Sequence, residues 1–128
     1  MTWQQRNHAP LPGTYLCRLD ELTGTLGREF IWGETTDKPF RLFLVPLAAG
    51  RARAYVNACP HFQVPLNPPR PDWPFLLRDE PETIRCSVHG ARFRAEDGLC
   101  TWGDCHGESL LPVPVDVQDG QIFLATQA

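Results

Sequence analysis

Lysine is almost missing: Lys38 is the single one in 128 residues. The remaining cations are arginines, scattered rather than run together, and the formal net charge is −3. Phosphate binding asks for a concentrated basic face, so this balance speaks against a nucleic-acid partner. No window reaches the uninterrupted apolar length of a membrane helix. The opening from Met1 to Pro10 has no apolar h-region and so does not read as a secretory signal. The expectation is a soluble, cytoplasmic protein with no membrane partner. In that compartment the five cysteines read as metal ligands or thiols rather than a disulfide framework. There is no internal repeat, no convincing amphipathic helix, no nucleophile elbow and no phosphate-cradling loop.

Proline and glycine are plentiful, with 13 and 10 residues. They favour short strands and irregular loops over long helices. The length and a hydrophobic content of 42% fit one domain over residues 1–128 with a modest core.

Residues 1–13 are polar, end in Pro10-Leu-Pro-Gly13, and read as a loosely ordered start containing a solvated His8. Thr14–Leu19 reads as a first strand with Cys17 as a buried structural thiol, and Glu29–Trp32 as a second. Phe40–Leu47 is the most apolar run and reads as a central strand. Pro46 confines it to an edge position or ends it there. Ala48–Arg51 turns, and Ala52–Asn57 pairs back and delivers the chain to Cys59. Prolines 65, 68, 69, 71 and 74 forbid helix or internal strand between them. Phe75–Leu77 and Thr83–Cys86 read as short strands, the second delivering Cys86. Arg92–Arg94, Leu99–Trp102, Leu111–Val117 and Gln121–Leu124 complete an all-β, antiparallel class of sandwich or barrel type.

Two short motifs stand at the ends of those strands: Cys59-Pro60-His61 and Cys86-Ser87-Val88-His89-Gly90. Each pairs a thiol with an imidazole in a loop that must turn sharply. Gly90 gives its loop positive φ or close approach, and Pro60 and Pro65 stiffen the other. With this cysteine and histidine content, both pairs arise together by chance roughly once in forty. Cys59, His61, Cys86 and His89 are therefore the candidate metal and cofactor ligands.

Two metals compete for two thiolates and two imidazoles. Tetrahedral zinc accepts the set. Zinc-finger spacings, however, put both cysteines in one half and both histidines in the other. One thiol and one imidazole per half suits a binuclear cluster, with two thiolates on one iron and two imidazoles on the other.

These motifs, with Ala91-Arg-Phe93 after the second, resemble the Rieske [2Fe–2S] ferredoxin family. The likeness runs over roughly residues 14–125. It includes Tyr55-Val-Asn57, Pro65-Leu66, Glu96-Asp-Gly98, Leu111-Pro-Val113 and Asp119-Gly120. It implies a small antiparallel β-sandwich or barrel with a cluster-binding tip formed by two loops, and one [2Fe–2S] cluster per chain. Three departures stand out. The stretch from His61 to Cys86 holds 24 residues, lengthened by a proline-rich insertion over 66–82. The positions matching the loop disulfide of respiratory members are Val64 and Val88. The position matching their serine donor to the cluster is Ala91. Losing donors lowers the potential, so a centre near the bottom of the Rieske span of about −150 to +300 mV is expected.

The implied function is a one-electron carrier linking a flavin reductase to a terminal oxygenase or other enzyme. The chain is not expected to be an enzyme on its own. An oxygenase iron needs two more histidines and a carboxylate, and only His8 and His106 remain, in unrelated contexts. The alternatives are a cluster-based redox sensor and a zinc-stabilised interaction domain, the latter separable by metal analysis. Phe62, Val64, Trp73 and Val88 flank the presumed tip, as a docking rim or as shielding. Cys100, Cys105 and His106 form a second group. It reads as a buried strand thiol and a thiol packed under the cluster loops, with a Cys100–Cys105 disulfide disfavoured in a reducing cytosol.

Overall fold

The computed structural model describes residues 2–60, 63–67, 73–87 and 90–126. Its strands are β1 (Tyr15–Arg18), β2 (Arg28–Trp32), β3 (Phe40–Leu47), β4 (Arg51–Val56), β5 (Thr83–Arg85), β6 (Arg92–Arg94), β7 (Cys100–Trp102), β8 (Val115–Gln118) and β9 (Gln121–Leu124). They form three three-stranded antiparallel sheets, ordered β1-β9-β8, β2-β3-β4 and β5-β6-β7.

The middle sheet explains the long apolar run. Successive side chains of a strand point to opposite faces. Phe43, Val45 and Tyr55 enter one core with Phe75, Ile84, Phe93 and the buried thiols of Cys59, Cys86, Cys100 and Cys105. Phe40, Leu42, Leu44, Ala52, Ala54 and Val56 enter a second core with Leu16, Cys17, Ile122 and Leu124. β3 is thus covered on both faces, which is why its sequence is apolar throughout rather than alternating. β2 pairs only as far as Leu44, so Pro46 falls where β3 has β4 as its sole ladder neighbour. The missing N–H is harmless there.

The first of these cores is locked by a few specific contacts. Phe43 and Phe75 stack with centroids 4.4 Å apart. The Tyr55 hydroxyl donates to the Ala95 carbonyl at 2.6 Å, tying β4 to the turn after β6. Burial drives the Tyr55 phenol up, so it stays protonated and remains a donor. Gly98, at φ +77°, sits against this ring; a Cβ there would lie 2.8 Å from Tyr55 Cε1.

Some expectations shift. Phe75–Leu77 is reduced to a single bridge, Leu76 with Ile84, flanked by hydrogen bonds from Leu77 to Thr83 and from Arg85 to Phe75, because Pro74 ends it on one side and the turn from Arg78 ends it on the other. β8 begins at Val115 rather than Leu111, since Pro112 and Pro114 cannot donate. A one-turn helix, α1 (Leu19–Leu22), follows β1, with the Glu21 carboxylate accepting the Arg18 N–H at 2.8 Å. It is too short to carry an amphipathic pattern. The start of the chain, read as loosely ordered, packs instead: Trp3 is buried edge-on against Phe40, 6.1 Å between centroids. One indole holds enough apolar area to anchor an otherwise polar segment. His8 is exposed, with its ring lying over Gly33. No described helix is long and apolar enough to cross a membrane.

Candidate metal centre

The two predicted half-sites leave β4 and β5 as matched loops. The Cys59 N–H donates to the Val64 carbonyl at 2.7 Å, and the Gln63 N–H returns to the Cys59 carbonyl at 2.7 Å. The Cys86 N–H donates to the Ala91 carbonyl at 2.9 Å, and the Gly90 N–H returns to the Cys86 carbonyl at 3.1 Å. In both, the fifth residue counted from the cysteine as first is left-handed: Gln63 at φ +57° and Gly90 at φ +70°. The sequence signals this turn at Gly90. It gives no signal at Gln63, which takes the same conformation with a side chain present.

The loops are also joined to each other. Ser87 donates its N–H to the Leu66 carbonyl at 2.7 Å, and Leu66 donates its own to Asn57 Oδ1 at 2.7 Å. Asn57 belongs to a buried polar cluster that sequence reading did not find. Its amide donates to Glu29 Oε2 at 2.6 Å and to Asn67 Oδ1 at 2.8 Å. Asn67 donates to Glu29 Oε1 at 3.0 Å, and Arg41 grips the same carboxylate at 2.7 and 3.0 Å. Every polar group in this cluster is matched, as burial demands. Its effect is to fix both ends of the first loop, Asn57 before Cys59 and Asn67 after Leu66.

Cys59 and Cys86, two of the four predicted ligands, are both buried in the core beneath these loops. His61 and His89, the other two, lie outside the described residues, as do Phe62 and Val88. Val64 and Trp73 pack partly buried against the same core, with Arg85 stacked 4.8 Å over the Trp73 ring. Trp102, which sequence reading passed over, is 61% exposed at the second loop, its ring 3.8 Å from where a Gly90 Cβ would stand.

Cys100 and Cys105 are buried as expected, in the same core as Cys59 and Cys86, and His106 is exposed. The Cys105 thiol is raised well above its ordinary value, first by burial and then by the hydrogen bond with Cys100, with Cys59 adding to it. Cys17 lies in the other core, its thiol pushed up by burial against the opposing pull of Arg28.

The chemistry of the donors fits an iron–sulfur group. Two thiols are held in an apolar core, with the loops that carry them shaped by backbone hydrogen bonds, and soft thiolate ligands suit iron–sulfur clusters. The backbone N–H groups of both cysteines are spent within their own loops.

A family model described as the Rieske [2Fe-2S] domain matches residues 14–121. No curated protein sequence matches the chain. Among solved structures, it is similar to the ferredoxin of carbazole 1,9a-dioxygenase from Nocardioides aromaticivorans IC177. That likeness has 20% identity and a TM-score of 0.67, covering 91% of this chain and 99% of that one. It is also similar to the cyanobacterial plasma membrane Rieske protein PetC3 from Synechocystis PCC 6803. There the identity is 17% and the TM-score 0.65, covering 87% and 97%. A quaternary ammonium Rieske monooxygenase, CntA, matches at 16% identity and TM-score 0.64, covering 91% of this chain but 33% of its own.

Proposed function

Because this chain belongs to the Rieske [2Fe–2S] domain family, with a [2Fe–2S] cluster as cofactor, we propose that it is a one-electron carrier. In this reading Cys59 and Cys86 hold one iron and His61 and His89 the other. The observation that carries it is the matched pair of loops around two buried cysteines, each followed by a histidine two or three positions on. When bound, the cluster supplies a one-electron couple. The chain's own part is to bind and tune it. The thiolates sit in the apolar core, which keeps water from them. His61 and His89 come two and three residues later in sequence, and an imidazole that binds iron through one ring nitrogen would keep the other for solvent or a partner.

Partners are proposed to be redox proteins: a flavin reductase as donor and a terminal oxygenase as acceptor. Support comes from the likeness to a ferredoxin of a dioxygenase system over nearly all of that ferredoxin's length. The partner would meet the loop end of the molecule, where Val64, Trp73 and exposed Trp102 offer apolar surface beside the loops. Weak redox encounters need little area. The protein is taken to work in the cytoplasm.

A redox titration tests this reading. One electron per chain, at a midpoint near the low end of the Rieske span, supports a reductase-to-oxygenase carrier. A midpoint well above zero contradicts it.

A further inference from the structure

We propose that Cys100 and Cys105 form an oxidisable pair that a small peroxide converts to an intrachain disulfide. The thiol of Cys105 points at Cys100 Sγ with the two sulfurs 2.8 Å apart. Non-bonded carbon atoms already rest at about 3.5–4.0 Å, and sulfur is larger. A disulfide needs about 2.0 Å, so a side-chain adjustment of under an ångström closes the bond.

The backbone holds both residues at this approach. Cys100 donates its N–H to the Glu108 carbonyl at 2.7 Å and accepts from the Gly107 N–H at 3.2 Å. Glu108 donates to the Cys105 carbonyl at 2.8 Å. The return of the chain after β7 is therefore stapled on both sides of the sulfurs, and the pair meets without refolding. Gly103 makes the same loop fit: at φ +109°, its Cβ would lie 3.1 Å from Ala91, the residue whose carbonyl closes the Cys86 loop.

The step balances. Hydrogen peroxide oxidises one thiol to a sulfenic acid and leaves as one water. The second thiol attacks that sulfur, the S–S bond forms, and the hydroxyl departs as a second water. Two S–H bonds and one O–O bond break, and the two sulfurs together lose two electrons. Both side chains are 1% exposed, so the oxidant must be small. A bulky disulfide such as oxidised glutathione has no path to them. Cys105 also touches Cys59, one of the residues read as cluster ligands, but neither member of the pair belongs to that set, and the peptide readout below follows these two sulfurs alone.

The sequence supplies a clean assay. No Lys or Arg follows Arg94, so the last tryptic peptide contains Cys100 and Cys105 and no other cysteine. The native cluster-loaded protein is treated with hydrogen peroxide, quenched, unfolded in iodoacetamide and digested. The expected peptide has lost two hydrogens and taken no alkyl group. Treatment with oxidised glutathione leaves both sulfurs alkylated. In Cys105→Ser, which removes the partner at nearly constant size, the remaining Cys100 forms no intrapeptide bond. Two alkyl groups after peroxide, or added oxygen on one sulfur with no loss of the hydrogen pair, would overturn the proposal.

Discussion

Ser87 hands its backbone N–H to the Leu66 carbonyl across 2.7 Å, and so joins the second cysteine loop to the first. Leu66 in turn hands its N–H to Asn57, two positions before Cys59. A chain of three residues therefore runs from one half-site to the other without passing through any metal.

Asn57 is the point where this chain is most exposed to damage. Asn57→Ala removes the acceptor of the buried Leu66 N–H and takes one hydrogen bond each from Glu29 and Asn67. An unsatisfied buried group costs about 1–3 kcal/mol. The expected result is an unfolding free energy lower by that amount, seen as a lower urea midpoint at unchanged slope, together with faster iron release to a chelator. An unchanged midpoint would show that the network does not support the loop.

Gly90 tests the matched loop geometry. Its left-handed φ is unfavourable for any residue with a Cβ, by about 1–2 kcal/mol. Among the described residues beyond its chain neighbours there is room for the methyl, with the nearest atom on Trp102 at 3.8 Å. Gly90→Ala should therefore lose stability through its backbone alone, by about that amount, read in urea unfolding. The reverse change in the other loop, Gln63→Gly, relieves its strain but gives up the hydrogen bond from Arg6. It should therefore change stability less.

How much of this was legible follows from the range of each interaction. β3, β4, β6 and β9 are close to their sequence readings because apolar patterning and turns are local. Spacing singles out Cys59 and Cys86, since a thiol–imidazole pair leaves a short-range signature, and the fold brings the two cysteines into one core; their role as ligands is part of the proposal. The Glu29 cluster was not, because Glu29, Arg41, Asn57 and Asn67 look like ordinary polar residues until the sheet brings them together. Gln63 was hidden for a different reason: its left-handed turn is imposed by the loop and not by its own preference. Nor does any local pattern say that the chain folds as three small sheets rather than one continuous one.

By the resemblance read from the sequence, Ala91 matches the position where respiratory members of the family place a serine donor. Ala91→Ser restores one hydroxyl beside the second loop. A net hydrogen bond of about 0.5–1.5 kcal/mol corresponds to about 20–60 mV for one electron. The midpoint should rise by that amount, measured by redox titration. A fall would mean that the added hydroxyl does not donate to the cluster.

Acid should weaken the link between β4 and the turn after β6. Arg51 binds Glu96 at 2.9 Å and Arg53 binds it at 2.8 Å, while Arg94 pairs with Asp97. Arg51 holds the Glu96 carboxyl below its usual range, and Arg94 does the same for Asp97. A depressed folded value means the stabilisation is complete above the unfolded carboxylate range of about 4 and fades as pH falls below it. The pairs are exposed, so the effect is small. The urea midpoint should drop less between neutral pH and about pH 3 in Glu96→Gln/Asp97→Asn than in the parent. An equal drop would assign the acid loss elsewhere.

The ligand assignment is tested most directly by metal analysis and electron paramagnetic resonance on the purified parent, His61→Cys and His89→Cys. Two irons and two acid-labile sulfides are expected in the parent, with a Rieske-type spectrum on reduction that both variants lose. Zinc in place of iron, or a Rieske-type spectrum retained in either variant, would contradict it.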